Sequence, residues 1–198
     1  SDADISLATA PFRDPRYAPR RLEVEHRAGG EMVLGNPTPY AAGFQTLTAA
    51  LEHWARATPN RVWLAERWGE GWRTVTFAEA HEQVRAIAGG LRARGVTDAR
   101  PLLILAHNGV DQALVSYAAM SQGMPIAPVS PQYGLKTANP ARLARACEVL
   151  RPAAVYTDDA QLFAEGLSAP QLAGLPVIAS KAPRAGDIAF EALLRGPS

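Results

Sequence analysis

The main body of the chain begins with a helical repeat of apolar side chains. The repeat starts after Thr46 and stops before Pro59. Residues three and four apart lie on one face of a helix, so this spacing predicts a helix with one buried face. That face comprises Leu47, Ala50, Leu51 and Trp54. We expect Trp54 to be a core residue, because it falls in line with the other apolar positions.

An alternating stretch and a second helical repeat follow. Polar and apolar residues alternate over residues 61–76 around the turn Gly69–Gly71, a pattern typical of a β-hairpin. Thr76 and Glu79 have the spacing of a capping box, in which each side chain bonds the other residue's backbone N–H. They begin a long helix that ends at Gly95. Its inner face comprises Phe77, Val84, Ile87, Ala88 and Leu91.

In the second half of the body, short apolar strands alternate with helices. The strands are continuous apolar runs, as a sheet covered on both faces requires. They are Leu102–Ala106, Pro125–Val129, Ala153–Tyr156 and Pro176–Ala179. We expect Asn108 and Asn139 to cap the first two intervening helices, and a short helix from about Asp159 to Glu165. This alternation predicts a parallel sheet with right-handed crossovers, so the fold class is α/β, with two or three layers.

Residues 1–45 differ in composition from this body. Five prolines stand among arginines in this stretch, which forbids long helices and favours an extended arm. Within the arm, Leu22–His26 alternates apolar with polar residues, Ala28–Gly30 permits a turn, and Met32–Leu34 can pair back as a hairpin. We therefore divide the chain into an arm, residues 1–45, and an α/β body, residues 46–198.

Composition and charge exclude several classes of partner. Twenty basic and 19 acidic side chains give a net charge of +1, so no sequence-wide field attracts nucleic acid or an anionic membrane. The longest apolar runs are far shorter than the roughly 20 residues that span a bilayer. A single cysteine, Cys147, excludes an intramolecular disulfide and suits a reducing compartment. We expect a cytoplasmic protein with neither a nucleic acid nor a membrane as partner.

One local basic cluster lies in the arm. It comprises Arg13, Arg16, Arg20 and Arg21. The planar guanidinium suits phosphate recognition, but stacking platforms for nucleic acid also need aromatic side chains between the basic ones. Because Tyr17 is the only aromatic residue between these arginines, we favour a solvated arm over a nucleic-acid contact.

Ligands of an open parallel sheet bind beyond the carboxyl ends of its strands, and three loops lie there. His107, in the first loop, is either a general base or structural; we favour the structural role, because no nucleophile or partner carboxylate is identifiable nearby. Asp158 and Asp159 either hold magnesium or cap a helix, and we favour the cap. Ser130–Gly134 either contacts a ligand through its hydroxyls and an exposed Gly134 backbone or is a rigid exit from the strand; both interpretations stay open.

Nucleotide and metal motifs are missing from the sequence. No strand is followed by a G-x-G-x-x-G turn, which argues against a dinucleotide-dependent enzyme domain, and no Walker-type phosphate loop occurs. His26, His53 and His81 show no metal-ligand spacing with one another or with Cys147. We therefore assign no catalytic residue and no metal ligand, and the cofactor-binding residues stay unknown.

Four segments nevertheless occur in a familiar order. They are Thr48–Ala55 with Thr58–Asn60, Trp72–Ala80 with Ala88–Leu91, Leu102–Gly109, and Gly123–Tyr133. In this order and spacing they resemble the front of the adenylate-forming superfamily, which includes acyl-CoA synthetases, luciferases and the adenylation domains of peptide synthetases. Within that superfamily, Leu34–Pro37, Ala127–Pro131 and Leu150–Pro152 are most similar to feruloyl-CoA synthases.

The resemblance implies an N-terminal subdomain of an AMP-forming acid–CoA ligase. Such an enzyme joins a carboxylic acid, here a hydroxycinnamic acid such as ferulate, to CoA through an acyl-adenylate, and it uses ATP and Mg²⁺. Members carry a Ser/Thr/Gly-rich phosphate loop ending in Pro-Lys-Gly, an aromatic-Gly-x-Thr-Glu motif, a ribose-binding aspartate and a C-terminal lysine. None of these motifs occurs here, and the only lysines are Lys136 and Lys181.

We therefore expect the chain to be an N-terminal fragment of such a ligase. The fragment should be inactive, should bind none of ATP, CoA or Mg²⁺, and should be able to dimerise through surface that a larger protein would cover. The alternative is a non-enzymatic α/β binding or interaction module, in which the strand-end loops recruit a partner without chemistry.

Overall fold

The structure is a computed structural model that describes residues 21–39, 43–97, 99–136 and 139–195. It divides into two compact units, Ser1–Gly43 and Phe44–Ser198, and each is considered by itself. The proline- and arginine-rich stretch 11–20 lies outside the described residues. The predicted extended arm and most of its basic cluster therefore stay predictions.

The first unit contains an antiparallel hairpin. Its strands are β1 (Glu23–His26) and β2 (Met32–Gly35), joined through a 3₁₀ turn at Ala28–Gly30. In this register Val24 lies opposite Leu34, so apolar residues share one face. The predicted hairpin is confirmed.

The second unit begins with a helix, a hairpin and a long helix. These elements are α1 (Leu47–Ala57), β3 (Val62–Trp68), β4 (Gly71–Thr76) and α2 (Phe77–Ala93). The capping box at the start of α2 is present: the Thr76 N–H donates to Glu79 Oε2 at 2.8 Å, and the Glu79 N–H donates to Thr76 Oγ1 at 3.3 Å. Both of these backbone N–H groups, which lack partners within the helix, are therefore hydrogen-bonded, as the sequence predicts.

The expectation that Trp54 belongs to the core is wrong. Its side chain is 39% exposed, and Leu51 is the only fully buried residue of α1. The indole lies against the ring of Phe77, 6.4 Å away between ring centres. Helix α1 packs against α2 and α3, and Leu51 is the residue that it buries there, whereas Trp54 stays partly exposed.

A five-stranded parallel sheet forms the centre of the second unit. Its elements in chain order are β5 (Leu102–Ile104), α3 (Val110–Ser121), β6 (Ile126–Pro128), α4 (Pro140–Leu150), β7 (Ala154–Asp159), α5 (Ala164–Leu167), β8 (Val177–Lys181), β9 (Ile188–Ala189) and α6 (Phe190–Leu194). The strands lie in the order β6-β5-β7-β8-β9, and every pair is parallel. The predicted α/β fold with a parallel sheet is confirmed.

Helices cover both faces of the sheet, which makes three layers. Alternate residues of a strand point to opposite faces. One face, with Ile104 and Tyr156, packs against α2, α3 and α6, and the other, with Leu103 and Val155, packs against α4 and the segment around Phe163. Burial on both faces explains why the strands are continuous apolar runs.

The segment after β7 differs from the prediction. In place of a helix from Asp159 to Glu165, β7 itself extends to Asp159, a turn follows, and α5 begins only at Ala164. Gly166 of α5 lies so close to Gly134 that a Cβ would be 2.5 Å from the Gly134 Cα. The Gly166 N–H also donates to the Gly134 carbonyl oxygen at 3.1 Å, so α5 lies directly against the loop after β6.

Candidate functional site

The candidate site lies where the strand order reverses. From β5 the chain goes to one side, to form β6, and then crosses to the other side, to form β7. The carboxyl ends of β5 and β7 therefore diverge into loops that run to opposite faces, and ligands of open α/β sheets bind in the crevice between such loops. The loop after β5 contains His107, and β7 ends with Asp158 and Asp159.

His107 and Asp158 are hydrogen-bonded to each other. The backbone N–H of His107 donates to Asp158 Oδ1 at 3.1 Å, and His107 Nδ1 lies 3.1 Å from Asp158 Oδ2. Since a carboxylate only accepts, the proton of the neutral imidazole is on Nδ1, and Nε2 is left as an acceptor. Within the described part of the chain, Nε2 has no hydrogen-bond partner. The sequence did not reveal the partner carboxylate.

The two neighbouring aspartates have different roles. Asp159 Oδ1 accepts the N–H groups of Gln161 and Leu162, both at 3.0 Å, so it caps the turn after β7. The favoured interpretation, a helix cap, is therefore wrong in its element: Asp159 caps a turn, whereas α5 begins at Ala164 without a side-chain cap. Asp158 instead holds the His107 loop across the gap between β5 and β7.

The prediction that Asn108 caps α3 is wrong. The N-cap position is Gly109, which has no side chain to accept a hydrogen bond. The N–H of Val110 donates instead to Glu66 Oε2 of β3, at 2.8 Å. A Cβ at residue 109 would lie 2.9 Å from this oxygen, so glycine permits the carboxylate to reach the helix end. The side chain of Glu66 thus takes the place of a cap from the residues next to α3.

Arg73 connects the same strand to α3 through two ion pairs. Its guanidinium donates to Glu66 Oε1 at 3.0 Å and to Asp111 Oδ1 at 2.6 Å. Burial alone would lower the pKa of Arg73, but its hydrogen bond to Asp111 and the two negative charges outweigh burial and raise the pKa. The arginine is therefore fixed as a cation between the hairpin and the helix.

A cleft of about 410 Å³, which we name the switch-point cleft, opens beside these groups. Trp68 and Lys181 lie at it, with Lys181 Nζ 5.7 Å from the centre of the indole. Tyr156 contributes a hydroxyl that lies 2.9 Å from Ser180 Oγ, and burial raises the pKa of Tyr156 well above its usual range. The lining residues are Glu66, Arg67, Trp68, Arg73, His107, Asn108, Gly109, Asp111, Gln112, Tyr156, Asp158, Ser180, Lys181, Phe190, Glu191 and Leu194.

We expected the backbone of Gly134, in the loop Ser130–Gly134, to be exposed to solvent, and this expectation is wrong. Gly134 is buried, and a Cβ there would lie 2.8 Å from a Leu105 methyl carbon. Tyr133 lines a second cavity of about 340 Å³ between α4 and α5. Ligand contact through the side chains of this loop stays open.

Comparison with known proteins places the chain in a family. A profile described as AMP-binding enzyme matches residues 51–192, more than two thirds of the chain. The chain belongs to the AMP-binding enzyme family. The match begins in α1 and ends in α6, so it includes every strand of the sheet and all the residues of the switch-point cleft except Leu194.

Several solved structures share this fold. A fatty acyl-adenylate ligase from L. pneumophila, solved with acyl adenylate and pyrophosphate, is 19% identical, with a TM-score of 0.58 over 78% of this chain and 25% of its own. A benzoate CoA ligase from Burkholderia xenovorans LB400 is 20% identical, with a TM-score of 0.58 over 76% and 29%. Apo MbtA from Mycobacterium smegmatis is 20% identical, with a TM-score of 0.60 over 77% and 28%.

These similarities establish the fold of the AMP-binding family for this chain. They also show that the chain spans between 25% and 29% of the length of these three structures. Among the residues that the structure describes, no group of three or more histidine, cysteine, aspartate or glutamate side chains is arranged to hold a metal ion. No helix in the described ranges is long and apolar enough to cross a membrane.

Reasoning from the sequence missed the residues that the hairpin brings to the site. Glu66 and Arg73 are cross-strand partners in the register of β3 and β4. The position of the turn at Gly69 fixes the register of the hairpin and so places these two residues opposite each other. The ion pair could therefore have been predicted from the sequence. The approach of Glu66 to the end of α3 was not, because it depends on how the hairpin packs.

Proposed function

We propose that the chain is the N-terminal portion of an acid–CoA ligase that acts on a hydroxycinnamic acid such as ferulate. The family match over residues 51–192 is the observation that carries the proposal. The shared fold with a fatty acyl-adenylate ligase and a benzoate CoA ligase supports it. The similarity of Leu34–Pro37, Ala127–Pro131 and Leu150–Pro152 to feruloyl-CoA synthases supports the choice of acid.

The reaction of the proposed ligase has two steps. A carboxylate oxygen of the acid attacks the α-phosphorus of ATP, pyrophosphate leaves, and an acyl-adenylate forms. The sulfur of CoA then attacks the acyl carbon, the thiol proton is lost, and AMP leaves with the electrons of the broken C–O bond. Magnesium neutralises the triphosphate in enzymes of this kind.

In this proposal the chain supplies the scaffold of the ligase and the loops at one edge of its sheet. The three-layer unit holds the His107 loop and the hairpin β3–β4 rigidly at one edge of the sheet. The phosphate-loop, ribose and lysine motifs implied by the resemblance are absent from the 198 residues. We therefore propose that residues 1–198 alone form no acyl-adenylate.

Thioester formation by the full product of the gene tests the proposal. The assay compares ferulate, benzoate and a long-chain fatty acid with ATP and CoA present, and we expect the highest kcat/KM with ferulate. A preference for the fatty acid would contradict the hydroxycinnamate assignment. No thioester with any acid would favour the alternative of a binding module.

A further inference from the structure

We propose that a groove beside α1 and α2 is a docking site for an acidic helix of a partner protein. The groove has a volume of about 540 Å³. We name it the arginine groove, and the residues that define it are Thr48, Glu52, His81, Arg85, Gly89 and Arg92. Among the described residues it shares no lining residue with the switch-point cleft, so the docking site does not depend on the proposed ligase reaction.

The basic side chains of α2 in this groove follow one line along the helix. Residues three, four or seven apart lie on one face of a helix, and His81, Arg85 and Arg92 are spaced by four and seven positions. Seven residues rise about 10.5 Å along a helix axis, so the Cα atoms of the two arginines are about that far apart. Gly89 lies between them, four residues after Arg85 and three before Arg92. The groove therefore has a cation on each side of a position that carries no side chain.

Both arginines lack an acidic partner. Within the part of the chain that the structure describes, neither guanidinium forms a hydrogen bond or an ion pair, and both residues are exposed. Glu52 is the one carboxylate among the described lining residues, and it already pairs with Arg56 at 2.7 Å. Two positive charges therefore remain unbalanced in the arginine groove. They attract an anionic ligand from solution and stabilise it once bound.

Gly89 leaves the backbone of α2 bare in the groove. Glycine inside a helix is destabilising relative to alanine, so an interior glycine calls for a reason in packing or in binding. The neighbouring Gly90 has such a reason, because a Cβ there would lie 3.0 Å from the Leu193 Cα. At residue 89 a Cβ would meet nothing within 4 Å among the described residues. The bare backbone lets the side chains of another helix approach α2 closely.

Spacing and chemistry favour an acidic helix over other anions. Two carboxylates seven residues apart on a partner helix lie on one face and about 10.5 Å apart, which matches Arg85 and Arg92. One phosphate group is too small to contact both arginines. Single-stranded nucleic acid stacks on aromatic side chains, and no Phe, Tyr or Trp is among the described lining residues. A helix that lies in a groove of its partner is also a recurrent mode of peptide recognition.

Titration of residues 1–198 with a helical peptide, followed by NMR, tests the docking site. The probe is an alanine- and glutamine-based peptide of about 20 residues, long enough to be helical in water, with glutamate at every seventh position. The matched peptide has glutamine at those positions. We expect the acidic peptide to shift the signal of the Gly89 amide, to bind about tenfold tighter than the glutamine peptide, and to lose this advantage in about 1 M NaCl. Equal affinities for the two peptides would overturn the proposal.

Substitutions of the arginines locate the site. Arg85→Gln and Arg92→Gln should each weaken binding of the acidic peptide about two- to fivefold, which is the effect of one exposed ion pair. Arg142→Gln on α4 is the control, because it removes the same charge from an exposed position outside the groove. It should leave the affinity unchanged. Unchanged affinity in both groove variants would place the peptide elsewhere and overturn the proposal.

Filling the groove tests its shape. Gly89→Leu should weaken binding of the acidic peptide about tenfold or more without lowering stability, because leucine is a better helix former than glycine and its Cβ meets no neighbour there. Ala93→Leu adds bulk at an exposed position of the same helix outside the groove, and should leave the affinity unchanged. Should Gly89→Leu fail to fold, as circular dichroism would show, the two peptides and the arginine variants still decide the question.

The full product of the gene distinguishes a partner from the protein's own remaining sequence. Binding of the acidic peptide by both residues 1–198 and the full product, with the loss in the arginine variants, supports a docking site for a partner. Binding by residues 1–198 and not by the full product would overturn the proposal, because another part of the same protein would then cover the groove.

Discussion

Replacing Arg73 with methionine removes the ion-pair link between the hairpin and α3 and leaves the hydrogen bond from the Val110 N–H to Glu66. Methionine keeps a similar aliphatic length but cannot donate hydrogen bonds. The substitution leaves Glu66 and Asp111 close to each other without the cation that now lies between them. We therefore expect both the loss of two ion pairs and a new repulsion between carboxylates.

The size of the effect follows from exposure. The side chains of Arg73, Glu66 and Asp111 are 31%, 23% and 20% exposed. Hydrogen bonds to charged groups contribute about 1.5–3 kcal/mol when shielded, whereas fully exposed pairs contribute about 0–1 kcal/mol. The intermediate exposure suggests a loss of about 2 kcal/mol in the free energy of unfolding. For a chain of this size that corresponds to a fall in Tm of about 4–8 °C.

Urea unfolding followed by circular dichroism measures this loss. Arg56→Met is the matched control, because Arg56 also forms a short ion pair, 2.7 Å from Glu52, but the two side chains are 71% and 50% exposed. We expect the control to cost less than about 0.5 kcal/mol. Equal losses in the two variants would refute the view that the hairpin is fastened to α3 by partly buried charge.

Three further outcomes are expected. Gly166→Ala should lower the free energy of unfolding by about 3 kcal/mol or more in the same urea assay, because its Cβ would meet the backbone of Gly134. Gly89→Ala in α2 is the control: nothing lies within 4 Å of its Cβ, and it should raise the free energy of unfolding by up to about 1 kcal/mol. Hydrogen bonds from the helix start lower the pKa of Glu79, so the stability that Glu79→Gln removes should be present above the unfolded pKa and lost as pH falls through the folded one. Burial raises the pKa of the Cys147 thiol, so iodoacetamide should label it in urea and hardly at all in buffer at neutral pH, as mass spectrometry would show.

Local patterns were sufficient to predict most elements. The Thr76–Glu79 capping box and the Asn139 cap depend only on residues within one helical turn, and both are present. The apolar strands were recognisable because a sheet buried on both faces needs no polar alternation. Each of these features is decided by neighbours in the sequence.

Features that depend on packing between distant segments were beyond the sequence. The cap of α3 comes from Glu66, 44 residues away, so the local candidate Asn108 was a wrong choice. The partner of His107 is 51 residues away and becomes its neighbour only through the register of β5 and β7. Strand β9 and helix α6 are too short to leave a periodic pattern, and we did not predict them.

ATP–pyrophosphate exchange driven by ferulate tests the central claim most directly. It reports the first half-reaction alone and is independent of CoA. If the chain is the front portion of an adenylate-forming ligase, the full gene product should exchange pyrophosphate in the presence of ferulate, and residues 1–198 should show only the background rate. Exchange above background by residues 1–198, or none by the full product with any carboxylic acid, would contradict the account.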